Sequence, residues 1–246
     1  MAQQQGFTIW LTGMLGAGKT TMADYIAARL RQVGRSVEVL DEDDVKDELF
    51  DELEEVKDDR VLVTRRLGFV ADLLSRNGVC TVVACCSPYK SIRDENRRLI
   101  NRYLEIYVDC PTEDLIKRDN TGKYKKALHG EIPNFIGITE PYEPPGSPEV
   151  TIQSNLEPVE SGGLRVFQSL LDLAYMTPEE VKIITGTKLK ANPASKGKVG
   201  KGNFAAPPAK AGKPEKGGKV AKADKKPAKA AKVAPKKVEK KAKKKK

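Results

Sequence analysis

The sequence predicts an α/β chain: a parallel β-sheet covered by helices on both faces, followed by a disordered basic C-terminal tail. Three observations carry this prediction. The chain opens on a short β-prone run, Phe7-Thr8-Ile9-Trp10-Leu11-Thr12, that enters a glycine-rich turn and then a helical pattern. Further strand-like runs alternate with helical ones as far as residue 174, the arrangement expected of parallel strands joined by helical crossovers. From residue 191 onward the composition changes to Lys, Ala, Pro and Gly.

The first strand, 7–12, leads into Gly13-Met14-Leu15-Gly16-Ala17-Gly18-Lys19-Thr20, and Thr21 follows. A helix is expected over 20–33, where Met22, Tyr25, Ile26 and Leu30 recur at helical spacing. This is the G-x-x-x-x-G-K-[ST] phosphate-binding pattern in its required strand-to-helix setting. Glycines let backbone N–H groups converge on phosphate oxygens, and the helix N-terminus adds a favourable partial charge. Lys19 would reach the β/γ-phosphates, and the Thr20 hydroxyl would help hold Mg²⁺. A chance match in a glycine-rich turn is the bland alternative, and the correct flanks on both sides argue against it.

The second strand, 36–41, ends in Asp41-Glu42-Asp43-Asp44. Ligands of parallel sheets collect at the carboxyl ends of the strands. A carboxylate there could order Mg²⁺ waters or accept a proton from an attacking hydroxyl. An acidic helix start favoured by the macrodipole reads the same way. Asp41 and Asp43 are the candidates because they belong to the strand end; Glu42 and Asp44 are expected to be solvated.

A helix over 58–76 precedes the third strand, 79–85, whose apolar run holds Cys80 and Cys85 as expected buried free thiols. No C-x-x-C pair joins the four cysteines, and a lone His129 offers little for a metal site. A helix over 92–99, a strand over 103–109 and a helix over 112–118 come next. Residues 118–145 are basic and then Gly- and Pro-rich, with Tyr124, Phe135 and Tyr142 among them. Cations beside an aromatic and a glycine hinge suit a lid over phosphates and a base, and equally an exposed basic loop. A last strand, 150–152, and a helix, 163–174, complete the expected domain over 1–175. Residues 176–190 form a short appendage, with 177–189 lacking an evident packing partner.

The net charge of +10 averages two unlike parts. Residues 191–246 hold 20 Lys against Glu215, Asp224 and Glu239, a net +17, which leaves 24 basic and 31 acidic residues, −7, in 1–190. The tail cannot bury enough apolar surface to offset ordering entropy. Its composition is similar to linker-histone-type tails and implies non-specific contact with nucleic acid or another polyanion; a plain solubility tail is the alternative. No signal peptide or membrane span is visible, so a cytoplasmic protein is expected.

The chain resembles the adenylyl-sulfate kinase family of P-loop kinases. The resemblance rests on Gly13–Thr21, Leu40-Asp41-Glu42-Asp43, Ser87-Pro88-Tyr89-Lys90 with Arg93, and above all the block Gly122-Lys123-Tyr124-Lys125-Lys126-Ala127, Gly130-Glu131-Ile132, Phe135, Gly137-Ile138 and Pro141-Tyr142-Glu143-Pro144-Pro145. It implies phosphorylation of the 3′-hydroxyl of adenosine 5′-phosphosulfate with ATP and Mg²⁺. Gly13, Met14, Leu15, Gly16, Ala17, Gly18, Lys19, Thr20 and Thr21 would hold ATP, and Thr20 with Asp41 the metal. Asp41 and Asp43 would serve the reacting hydroxyl, Arg60 would contact the acceptor nucleotide, and Phe135 would stack on its adenine. Lys125 and Lys126 would come from the lid. Ser87 matches a serine sometimes assigned as a phosphoserine intermediate, but in-line transfer needs no covalent step, which puts Ser87 in the lining of the acceptor pocket. The resemblance also suggests a dimer.

Departures from the family pattern fall on the acceptor side. Lys46 stands where an arginine is usual, a change from a bidentate to a point-charge donor. Leu53-Glu54-Glu55-Val56 replaces Leu-Gly-Phe-Ser, and Val63 replaces a polar Asn. Two readings stay open beside the main one: a kinase of the same fold with a drifted acceptor, and a nucleic-acid-associated protein whose kinase-like module senses nucleotide.

Overall fold

The computed structural model describes residues 5–186; the readings made on the basic tail lie outside these residues. Five strands, β1 (Phe7–Thr12), β2 (Val37–Asp41), β3 (Cys80–Ala84), β4 (Tyr103–Asp109) and β5 (Val150–Gln153), form one sheet in the order β2-β3-β1-β4-β5. Every pairing is parallel, as the alternating pattern predicts. The helices are α1 (Lys19–Gln32), α2 (Lys46–Leu49), α3 (Lys57–Arg76), α4 (Lys90–Leu99), α5 (Thr112–Arg118), α6 (Lys123–Leu128), α7 (Val159–Asp172) and α8 (Pro178–Thr185).

Strand side chains alternate between two cores. Phe7, Ile9 and Leu11 of β1, Cys80, Val82 and Ala84 of β3, and Leu104, Ile106 and Val108 of β4 enter the larger core with Ile26 of α1, Phe167 of α7 and Val181 of α8. Trp10, Val83 and Tyr103 point the other way, into a smaller core with Val63, Leu67 and Ala71 of α3. The second face also carries Thr8, Thr12, Thr81 and Glu105, all buried, so part of its cohesion is polar. Arg93 of α4 is buried against Glu105 at 3.3 Å, and Arg97 bridges Glu105 and Glu149 at 3.1 and 2.6 Å. Burial opposes the Arg97 charge, yet its two carboxylate partners raise its pKa.

Most expected elements fall within two residues of the observed ones; α2, α6, α8 and the start of α7 do not. Helix α7 begins at Val159 rather than 163 because Gly162-Gly163 sits inside the helix. A Cβ at Gly163 would lie 2.3 Å from the Tyr25 ring, so this glycine permits a close crossing with α1 rather than ending a helix. A similar contact joins α3 to α4: a Cβ at Gly68 would lie 2.2 Å from Asn96 Oδ1, and Asn96 Nδ2 donates to the Thr64 carbonyl at 3.1 Å.

Residues 178–185, for which no packing partner was evident, form α8. The Thr177 side chain accepts from Glu180 N–H at 3.2 Å while Glu180 accepts from Thr177 N–H at 2.8 Å, a reciprocal capping box. Arg35 pairs with Glu180 at 2.7 Å, and Val181 and Ile184 are buried in the larger core. Cys80, Cys85 and Cys110 are buried free thiols and Cys86 is half-buried. No described helix is long and apolar enough to cross a membrane.

Candidate active site

A cavity of about 550 Å³ opens at the carboxyl ends of β1, β2 and β3. Its wall contains Leu15, Gly16, Gly18, Lys19, Thr20 and Thr21 from the first turn and α1. Opposite them stand Asp41, Glu42, Asp43, Glu55 and Arg60, and Lys123, Phe135 and Ile136 come from the basic segment. Residues expected at the phosphates and residues expected at the acceptor therefore share one cavity. Gly13, Met14 and Ala17 are not part of that wall: Ala17 is fully buried, and Met14 lines a separate pocket with Tyr107 and Gly137.

Lys19 Nζ donates to the carbonyls of Gly13 and Met14, both at 3.1 Å, which places its charge along the loop. The Thr20 hydroxyl donates to Asp41 Oδ2 at 2.7 Å, and Asp41 Oδ1 accepts from Asp43 N–H at 3.1 Å. Two hard oxygen donors thus meet at the cavity wall, a set that fits Mg²⁺, which takes few protein ligands and completes its shell with water and phosphate. Among the described residues no group of three or more His, Cys, Asp or Glu side chains is arranged to hold a metal alone.

Asp43 and Asp44 are exposed, but Glu42 is half-buried and lines the cavity, contrary to its expected solvation. The ladder continues through Glu42 N–H to the Ala84 carbonyl at 2.9 Å, and its carboxylate accepts from Cys86 N–H at 2.8 Å. That bond fixes the chain leaving β3. Burial pushes the Cys86 thiol up to about 11, with Lys19 opposing and Glu42 reinforcing the shift.

Ser87 requires a correction: it does not line the cavity. Its hydroxyl accepts from Trp10 Nε1 at 3.0 Å and donates to Thr12 Oγ1 at 3.0 Å, and the residue is 1% exposed. Its backbone is left-handed, φ 37°, and Arg93 Nη1 donates to its carbonyl, so the strained turn is held from two sides. Val63 is corrected likewise. It packs into the smaller core beside Trp10 and Leu67 rather than facing an acceptor.

The basic segment lies against the cavity through two contacts. Tyr124 of α6 donates its hydroxyl to the Leu15 carbonyl at 2.8 Å and meets Phe135 edge-on, centroids 4.9 Å apart. Asp119 caps the approach: the Thr121 hydroxyl, then the N–H groups of Tyr124, Thr121 and Gly122, donate to its carboxylate and lower its pKa. The return leg is bound to the sheet: Tyr142 and Thr12 hydroxyls lie 2.8 Å apart, and Tyr89 donates to Glu140 at 3.1 Å. Lys125 and Lys126 are exposed on α6 and outside the cavity wall, which Lys123 occupies instead. Lys46 also lies outside it, paired with Glu55 at 3.9 Å. Sequence reasoning missed Glu42, Lys123 and Tyr124 as site residues, although Lys123 and Tyr124 lay inside the quoted basic block and Glu42 inside the acidic run that ends β2.

A parallel sheet, a glycine-rich P-loop turn leading into α1 and a carboxylate at the end of β2, one strand removed from β1, define a P-loop phosphotransferase. The family model for adenylylsulphate kinase matches residues 5–153. The adenylyl-sulfate kinase of Rippkaea orientalis is 47% identical over 174 residues, covering 71% of this chain and 96% of that protein. That of Picosynechococcus sp. is 44% identical over 176 residues, covering 72% and 99%. Among solved structures, the Mycobacterium tuberculosis APS kinase CysC in complex with AMPPNP and APS superposes with a TM-score of 0.64 at 32% identity, covering 68% of this chain and 98% of that one. A hexameric APS kinase from Thiobacillus denitrificans gives a TM-score of 0.54 at 28% identity, with 71% of this chain and 30% of that chain covered. The chain belongs to the adenylylsulphate kinase family.

Proposed function

We propose that the chain transfers the γ-phosphoryl group of ATP to the 3′-hydroxyl of adenosine 5′-phosphosulfate, giving 3′-phosphoadenosine 5′-phosphosulfate and ADP. The observation that carries this reading is the shared cavity, in which Lys19 and Thr20 face Arg60 and Phe135. Lys19 holds the β/γ-phosphate oxygens and offsets charge as it develops. Thr20 and Asp41 would hold Mg²⁺, which when bound neutralises phosphate charge. Asp43, exposed at the wall, orients the acceptor hydroxyl and takes its proton. Phe135, braced by Tyr124, offers a face to the acceptor adenine, and Arg60 its guanidinium to the acceptor anion. Ser87 acts on the shape of the turn, not on the reacting atoms.

A coupled assay over a panel of hydroxyl acceptors tests this reading. Adenosine 5′-phosphosulfate should give the highest kcat/KM; a higher value for another acceptor would replace it with the drifted-acceptor reading, which Glu55 beside Arg60 favours. For the tail we propose non-specific binding of nucleic acid through Lys–phosphate contacts, beside a kinase that works in the cytoplasm and assembles as a dimer. Binding of duplex DNA by the full chain should fall with salt at a log–log slope of about −0.9 per phosphate neutralised. A chain ending at Lys190 should lose that binding and keep its turnover.

A further inference from the structure

Glu55 lies in the turn before α3, and its carboxylate reaches into the acceptor end of the cavity. It touches two cations at once: Arg60 Nη2 at 2.7 Å and Lys46 Nζ at 3.9 Å. Arg60 does not need this pairing to keep its place. Its guanidinium donates to the Asn134 carbonyl at 2.8 Å and to the Glu55 carbonyl at 3.4 Å, and its side chain is 15% exposed. Its Nε is buried and has no hydrogen-bond partner, so an acceptor must be met by the outer guanidinium nitrogens, which Glu55 now holds. Glu55 itself is 71% exposed, and so is free to move aside.

We infer that Glu55 is a specificity-determining residue of the acceptor end, its carboxylate holding Arg60 and Lys46 where an anionic acceptor must bind. The inference rests on the reading of Arg60 as an acceptor contact. An exposed ion pair is weak and exchangeable, whereas a phosphate group can engage a guanidinium through two parallel hydrogen bonds. A multiply charged acceptor therefore displaces Glu55, and a ligand without charge gains nothing by doing so. The carboxylate thus narrows the advantage of anionic over uncharged acceptors, weakening each anionic ligand by the fraction of molecules in which the cations are occupied.

The test uses the full chain and its Glu55→Gln variant, with calorimetric titration of adenosine 5′-phosphosulfate and of uncharged adenosine, beside turnover of the former. Glu55→Gln should bind adenosine 5′-phosphosulfate about five-fold tighter and adenosine within about two-fold, the gain shrinking as salt rises. Unchanged or weaker binding of the anion, an equal gain for adenosine, or no binding of the anion to either protein would overturn the inference. Failure of the unaltered chain to phosphorylate adenosine 5′-phosphosulfate would instead remove the proposed reaction, while the binding contrast would still decide the role of Glu55.

Discussion

The Thr20 hydroxyl and Asp41 Oδ2 lie 2.7 Å apart, joining the first turn of α1 to the end of β2. The bond crosses between two elements that meet only because β2 and β1 flank β3 in the same parallel sheet. It sets a pair of oxygens beside the lysine that precedes Thr20, so charge and metal-type donors arrive together at one end of the cavity.

Lys19→Ala should fold normally and lose turnover by on the order of 10²- to 10³-fold, because an ammonium aimed at developing phosphate charge is removed. Turnover with saturating ATP, checked against an unchanged circular dichroism spectrum, measures this. A folded variant with full activity would refute the phosphate-binding role.

Asp43 is exposed at the wall, and its hydrogen bond to Asp41 runs through its backbone N–H, not its carboxylate. Asp43→Asn should lower kcat by about 10²- to 10⁴-fold, the range of general acid–base contributions. The KM for ATP should stay within about three-fold. A rise in that KM equal to the fall in kcat would move Asp43 from the hydroxyl to the nucleotide.

Ser87→Ala leaves Trp10 Nε1 buried without its acceptor. Stability should fall by about 1–3 kcal/mol in chemical denaturation, with kcat within about ten-fold of the parent, a loss no larger than about 1.4 kcal/mol in barrier. A thousand-fold loss of kcat at unchanged stability (about 4 kcal/mol of barrier), or phosphate found on Ser87 during turnover, would restore a covalent role.

Arg93→Met should be the costly substitution. Arg93 and Glu105 have side chains 1% and 7% exposed, and removal of the Arg93 guanidinium leaves Glu105 to Arg97 alone and takes a donor from the Ser87 and Glu143 carbonyls. A loss on the order of 3–5 kcal/mol follows, read from the shift in denaturation midpoint. A loss below about 1 kcal/mol would mean that Arg97 alone neutralises Glu105.

Alkaline pH should destabilise the fold. Burial raises the Cys80 and Cys86 thiols from 9.0 to about 11, and burial with the Glu140 hydrogen bond raises Tyr89 from 10.0 to about 12. Each folded-state pKa exceeds its unfolded value, so the unfolded chain loses these protons first. The contribution is complete below pH about 9 and is lost progressively as pH rises toward 11 and 12. Denaturation midpoints at pH 8 and 10.5 should differ in that sense, and Cys86→Ala should flatten part of the slope. A flat profile across this window would contradict the burial of these groups.

The sheet was legible because its signals are local: β1 with its glycine turn, the alternation of strands and helices, and Asp41 at a strand end. Directions set by tertiary packing were not. Ser87 turns inward because Trp10 and Thr12, 77 and 75 residues away in sequence, present a donor and an acceptor beneath it. Glu42 is drawn inward by the Cys86 amide, and Val63 faces the core because of the phase of α3. Lys125 and Lys126 sit on the outer side of a six-residue helix that the glycine-flanked sequence read as part of a loop. Gly162-Gly163, a breaker in linear sequence, marks a tight crossing in space.

The contact of Gly68 with Asn96 bears on how variation across related chains is interpreted. Neither residue touches the cavity, yet a Cβ at 68 would collide with the Asn96 amide, so either that amide or the helix pair must shift, and replacing Asn96 removes its bond to the Thr64 carbonyl. A substitution at Gly68 or Asn96 that lowers activity would therefore act through the packing of α3 on α4, and the place of the pair in that crossing separates architecture from chemistry.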